Sequence, residues 1–331
     1  MSNPLMCSLV AASAALVAAA PRAYAGAVPP NDYGLSWKTI GAPGNRGTLP
    51  SEMPQTPDYR SVGAVGHTYR LTQTEITNAQ WIEFVRAYEP YYTGLLGGMS
   101  GGGITFLGQY VIVGNPNGPA EISWENAARY CNWLHNGKAS TAEAFAQGVY
   151  DTSTFTRNPD GSYNHVLTHT ADAKYWIPTL DEWVKGAYYD PHKNGTGIDG
   201  YWLYPGRSDS PPISGPPSAG GQTNAGPGSG PTSVGSYPDA QSPWGLLDTS
   251  GGVEEWTSTG GPSLPHIPLL RNSSRRANDY AVLDRLDFFL QLESPVGIGA
   301  GLRLAASIPS PASTVLVGAN LLVQIRRTRA R

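Results

Sequence analysis

The sequence predicts one loop-built domain with a few short helices and strands, and three observations lead there. Of 331 residues, 40 are Gly and 29 are Pro, roughly a fifth that break regular structure. Hydrophobic residues make up 40%, with 9 Trp and 18 Tyr, enough apolar material for a sizeable core and too much for wholesale disorder. The densest break, Pro205 to Pro231, holds 14 Gly or Pro in 27 residues, so neither helix nor central strand passes through it. Apolar signals on its two sides are too few for two cores, so it reads as a long surface loop rather than an interdomain linker.

The elements follow in order. Cys7 to Ala20 is an almost unbroken apolar run ending at Pro21, with Ala23-Tyr24-Ala25 before Gly26. This is the pattern of a secretory signal peptide over residues 1–25, although no Lys or Arg precedes the run; a buried N-terminal helix is the alternative. Tyr69 to Thr74 alternates as a strand. Thr77 with Gln80 makes a capping box, and Ile76 before the cap can staple onto Trp81, so a helix starts there and presents Trp81, Phe84, Val85 and Tyr88. A Gly-rich loop covers Gly94 to Gly103. Ser123 caps a second helix running to His135, stopped by Asn136-Gly137. Thr179 with Glu182 makes another capping box, reached through Pro178. After the Gly/Pro loop come short elements tied by turns, at Val234–Tyr237, Trp244–Asp248 and Gly251–Trp256.

The last segment is again not a domain element. Pro309-Ser310-Pro311 precedes an apolar stretch from Val315 to Ile325 and the cluster Arg326-Arg327-Thr328-Arg329-Ala330-Arg331. Interrupted by Asn320 and Gln324, the stretch is short for a stable span of a ~30 Å hydrocarbon core. The three-part layout resembles a PEP-CTERM sorting tail over residues 307–331, with Ser310 in place of the usual Glu. That resemblance implies exosortase-type sorting machinery as a partner and only transient membrane contact, the Arg cluster holding the tail at the cytoplasmic face. A basic amphipathic partner helix is the alternative. The expected localisation is secreted or cell envelope.

A net charge of −3 with only 14% charged residues excludes the basic stripe of a nucleic-acid binder, the more so as four Arg lie in the tail. The two cysteines are Cys7 and Cys131; without the leader no internal disulfide is possible. Cys131 belongs to the set Trp124, Ala127, Ala128, Cys131 and Leu134, spaced to face a core. His165 and His169 have a metal-ligand spacing only if helical, and Asn158-Pro159-Asp160-Gly161 just before them signals a turn. No nucleophile elbow, phosphate-binding Gly loop or zinc-protease motif occurs.

Six segments then combine: Leu71 to Trp81, Ile122 to Ala128, Trp176 to Trp183, Trp244 to Asp248, Val253 to Trp256, and Gly301-Leu302-Arg303. Their order resembles that of formylglycine-generating enzyme (sulfatase-modifying factor) domains, above all the secreted bacterial subset with PEP-CTERM tails. The resemblance places this domain at residues 26–306 and implies an α+β, C-type-lectin-like fold with little regular secondary structure. Enzymes of the family oxidise a substrate cysteine with a copper-binding cysteine pair placed after a strand matched here by Leu270-Arg271-Asn272-Ser273-Ser274. The pair falls near Ala277 and Val282, neither of them Cys. Copper(I) needs soft thiolates, so copper is not expected and no catalytic residue is assigned. A family Ca²⁺ site matches Asp248, Gly251, Val253 and Glu255, two carboxylates and turn carbonyls within eight residues, which suits a hard cation; turn capping without metal is the alternative. A second family Ca²⁺ site would use Asn224-Ala225 but lacks its Asp partner. The expectation is a non-catalytic binding or envelope module whose loops, Gly94 to Gly103 and Pro205 to Pro231, face an unknown extracellular ligand. The opposing hypothesis is a formylglycine-generating-type oxidase or other metal-dependent enzyme.

Overall fold

The computed structural model describes residues 30–226, 232–291, 296 and 299–308. The leader at 1–25, the sorting tail beyond 308 and residues 227–231 of the Gly/Pro loop lie outside the described residues. In chain order the elements are β1 (Trp37–Ile40), β2 (Tyr69–Thr72), α1 (Asn78–Tyr88), β3 (Ile104–Phe106), β4 (Tyr110–Ile112), α2 (Trp124–His135), α3 (Ala142–Ala146) and β5 (Tyr175–Trp176). They continue with α4 (Leu180–Tyr188), β6 (Tyr189–Asp190), β7 (Gly200–Tyr201), β8 (Glu255–Gly260), β9 (Pro268–Arg271), α5 (Tyr280–Leu283), β10 (Leu290–Gln291) and β11 (Ala305–Ser307). The fold is mixed α and β, with short elements and long connections, as the resemblance implies.

Two sheets organise it. The first has the order β1-β2-β11-β5, all antiparallel, with Leu71 opposite both Lys38 and Ala305. The last strand therefore lies in the middle of the sheet, zipped to strands from the start and centre of the domain, and pairing runs to Ser307, one residue past the expected boundary. The second sheet, β10-β9-β8, carries a register shift between Trp256 and Gly260. The helices begin where the capping chemistry places them. Thr77 and Gln80, and likewise Thr179 and Glu182, satisfy each other's exposed backbone N–H groups, while the Ser123 side chain accepts from Asn126. The strand read at Tyr69 to Thr74 is shorter, ending at Thr72.

Aromatic residues fill the core. Trp81, Phe84, Tyr88, Tyr130, Trp133 and Phe145 form one network of ring contacts between α1, α2 and α3. Two fully buried Trp side chains find acceptors across the core for their N–H groups. Trp124 Nε1 donates to Thr257 O at 3.1 Å, and Trp256 Nε1 donates to Ile122 O at 2.7 Å, so the start of α2 and strand β8 are pinned by exchanged indoles. A second cluster, with Leu180, Trp183 and Tyr188 of α4, packs against Leu269 and Leu286. Cys131 lies fully buried in the first cluster, and burial pushes its thiol far above the ordinary range, which leaves it inert.

Candidate functional site

The turn from Asp248 to Glu255 is held from three directions. Asp248 takes a left-handed backbone, φ 56°, and its Oδ2 accepts from Gly235 N at 2.6 Å. Just past β9, Asn272 is also left-handed, φ 59°, the conformation that Gly adopts freely and Asn tolerates. Its side chain accepts from Glu255 N at 3.1 Å and donates to Gly251 O at 3.2 Å. A glycine at this position could not make that bridge. From the Gly/Pro loop, Asn224 Oδ1 accepts from Gly252 N at 2.7 Å, and its Nδ2 donates to Thr232 Oγ1 at 2.8 Å.

Beneath the turn sits a buried charge cluster. Arg303 lies entirely out of solvent and donates from Nη2 to Glu255 Oε1 at 2.8 Å and from Nε to Oε2 at 3.0 Å. Its remaining donors reach Thr72 O and Leu247 O at 2.8 and 2.9 Å. Trp183 Nε1 adds a third donor to Glu255, at 2.7 Å on Oε2. Glu75, 2% exposed, accepts weakly from Val253 N at 3.4 Å through Oε1, while its Oε2 has no partner. Burial, and then Asp248 and Glu255, push the Glu75 carboxyl well above its ordinary range; burial raises Asp248 to about 6 against the pull of Gly235 N–H and Arg303. One guanidinium therefore faces three carboxyl groups, and the excess is relieved by protons.

Asp248, Gly251, Val253 and Glu255 are thus neighbours of one charge cluster, yet as placed they do not fit a hard cation. Both Glu255 oxygens are taken by Arg303 and Trp183, Gly251 O is taken by Asn272, and a cation would face a buried guanidinium. Among the described residues no group of three His, Cys, Asp or Glu could hold a metal ion. Asn224 of the second family site spends both ends of its amide on protein partners. Ala277 is nearly buried beyond β9, Val282 is exposed on α5, and Cys131 is on α2 in the core.

His165 and His169 do not meet at a metal. Residues 164–170 form no helix. His165, 1% exposed, stacks on Phe155 with ring centroids 5.0 Å apart and meets Glu125 Oε1 through Nε2 at 2.9 Å. His169 is half-buried and lies against Trp176.

Glu125 is the link from this aromatic box to a groove of about 590 Å³. One wall is the start of α2, with Glu121, Glu125 and Arg129; another is Tyr88 and Tyr92; the loop expected to face a ligand, Gly94 to Gly103, closes the third. Although burial opposes it, His165 and Arg129 hold the Glu125 carboxyl below its ordinary value, so it stays ionised. Arg129 bonds Glu125 Oε2 at 3.3 Å and lies over the rings of Phe155 and Tyr88 at 5.2 and 6.0 Å. The groove has the size of a small-molecule site, an aromatic wall and two fixed charges. Sequence reasoning found its loop but missed Glu125 and Arg129. Their i, i+4 spacing at the start of a capped helix was visible, whereas the His165 contact, 40 residues away, was not.

The sulfatase-modifying factor enzyme 1-like domain matches residues 51–261. Among solved structures, the chain is similar to PvdO from Pseudomonas aeruginosa, at 15% identity and a TM-score of 0.50, over 87% of this chain and 100% of that one. It is also similar to Treponema denticola variable protein 1 (19%, 0.47, over 82% and 94%) and to CarF (14%, 0.46, over 83% and 98%). At these identities the likeness to PvdO concerns the fold alone. No curated protein sequence matches.

Proposed function

Since the chain belongs to the sulfatase-modifying factor enzyme 1-like domain family, we propose that it is an exported binding or cell-envelope module on that scaffold, without the family's copper-cysteine oxidase chemistry. One observation carries the reading: by spacing the cysteine pair falls near Ala277 and Val282, neither of them Cys, and the lone thiol of the described residues, Cys131, is buried on a different element. A two-coordinate copper(I) site needs two thiolates, and the described residues hold one. In place of a reaction centre the domain offers the groove of about 590 Å³ beside the Gly94 to Gly103 loop, as an open surface for an extracellular ligand. Export rests on the leader pattern, and processing by exosortase-type machinery rests on the three-part tail. Purified protein given copper(I) and a Cys-containing peptide is expected to bind no stoichiometric copper and to form no aldehyde. Copper at one equivalent together with aldehyde formation would refute the reading.

A further inference from the structure

A second, smaller cavity, of about 110 Å³, shares Glu121 with the groove and is lined by Gly102, Gly103, Gly114, Gly118 and Gly252. The glycines leave its wall as bare backbone. A Cβ on Gly103 would collide with the Asn78 side chain, and one on Gly118 would stand 3.6 Å from it. Asn78, the first residue of α1, is 3% exposed. Its Nδ2 donates to Asn115 O at 2.9 Å, a bond that fixes which end of the amide is which, and its Oδ1 has no partner. A buried acceptor without a donor is costly, and the fact that the side chain carrying it lines a polar cavity is the second observation that points to a ligand. The same cavity is lined by Glu121 and Arg275, whose side chains pair at 3.1 Å and remain partly open.

We propose that this cavity binds a neutral carboxamide group. Charge selects the class. An anion would meet the lone pairs of Asn78 Oδ1 and the Glu121 carboxylate, and a cation would meet the Arg275 guanidinium. A carboxamide brings N–H donors for Asn78 Oδ1 and Glu121 and a carbonyl for Arg275. With about 30 Å³ per liquid water as the yardstick, the space takes a group of a few heavy atoms, not a whole drug-sized molecule. A carboxamide on a sugar and one on a side chain offer the same chemistry.

Acetamide, acetate and acetamidinium share one shape and differ in charge, so titrating each into the full-length protein, followed by NMR, tests the assignment. Acetamide is expected to bind with a dissociation constant on the order of millimolar, as so small a ligand allows, and its charged isosteres at least ~10-fold more weakly. Gly118 has no positive φ, so Gly118→Ala adds a methyl beside Asn78 without backbone strain. This variant and Asn78→Ala should each weaken acetamide ~10-fold, with melting temperatures showing that Gly118→Ala stays folded. N-acetylglucosamine and glutamine serve as carriers: tighter binding of one than of acetamide identifies the carrier, and rejection of both overturns access to a carried amide. Equal binding of a charged isostere, no response to acetamide at ~100 mM, or unchanged affinity in Gly118→Ala also overturns the proposal.

Discussion

Removing Arg303 and removing Glu255 break the same ion pair, yet the structure predicts unequal costs. With Glu75 protonated, Arg303 is the one positive charge facing Glu255 and Asp248 in the buried cluster. Arg303→Met leaves both carboxylates without a counter-charge. It also strips donors from Thr72 O and Leu247 O. Breaking a buried pair from one side costs about 3–5 kcal/mol, and each orphaned acceptor adds about 1 kcal/mol or more, so at least about 5 kcal/mol is expected. That is a large share of a ~5–15 kcal/mol total. Glu255→Gln keeps an acceptor for Trp183 and leaves one guanidinium beside Asp248, so its cost should stay below about 2 kcal/mol. The double variant Arg303→Met/Glu255→Gln should cost less than the sum of the singles by at least ~1 kcal/mol, because it leaves only Asp248 without a counter-charge where Arg303→Met alone leaves two carboxylates. Urea unfolding followed by Trp fluorescence measures all three. Equal costs for the two singles, or Glu255→Gln the larger, would refute the charge balance drawn here.

Chelation bears on the same cluster: because Arg303 and Trp183 occupy Glu255, EDTA should leave the melting temperature unchanged, and a fall of several degrees would mean that a bound cation supports the turn. Asp284, fully buried, is raised by burial to about 6, against hydrogen bonds from Ser250 and Ser273. A folded value above the unfolded one stabilises at low pH and is lost as pH rises through about 6, so between pH 5 and pH 7 wild type should lose ~1 kcal/mol that Asp284→Asn does not lose. Identical pH profiles in urea titrations would remove Asp284 from that account.

Much of the framework is written in local chemistry. Thr77 with Gln80, Ser123 with Asn126, and Thr179 with Glu182 fix three helix starts, because a cap and its partner lie within one turn and need no other part of the chain. Thr141, which caps α3, offers the same kind of signal in a weaker form: its helix has only five residues, too few for a periodic face. The strands were harder. β11 has three residues, two of them Ala, and carries no alternation long enough to see, yet it holds the centre of the four-stranded sheet. Its place is set by partners more than 100 residues away, at Leu71 and Trp176.

The same division runs through the sites. By itself the sequence determined the family, the loop-rich architecture and the absence of a cysteine pair near Ala277 and Val282, since composition, motif order and residue identity are properties of the chain. It also placed Asp248 and Glu255 on one turn. Only the tertiary structure decided what those carboxylates do, because a charge buried in a low-dielectric interior takes its protonation and its partner from whatever the fold brings within a few ångströms. For Glu255 that is Arg303, 48 residues later, and for Glu125 it is His165. The unpartnered oxygen of Asn78 is decided in the same way, by glycines and an ion pair gathered from distant loops.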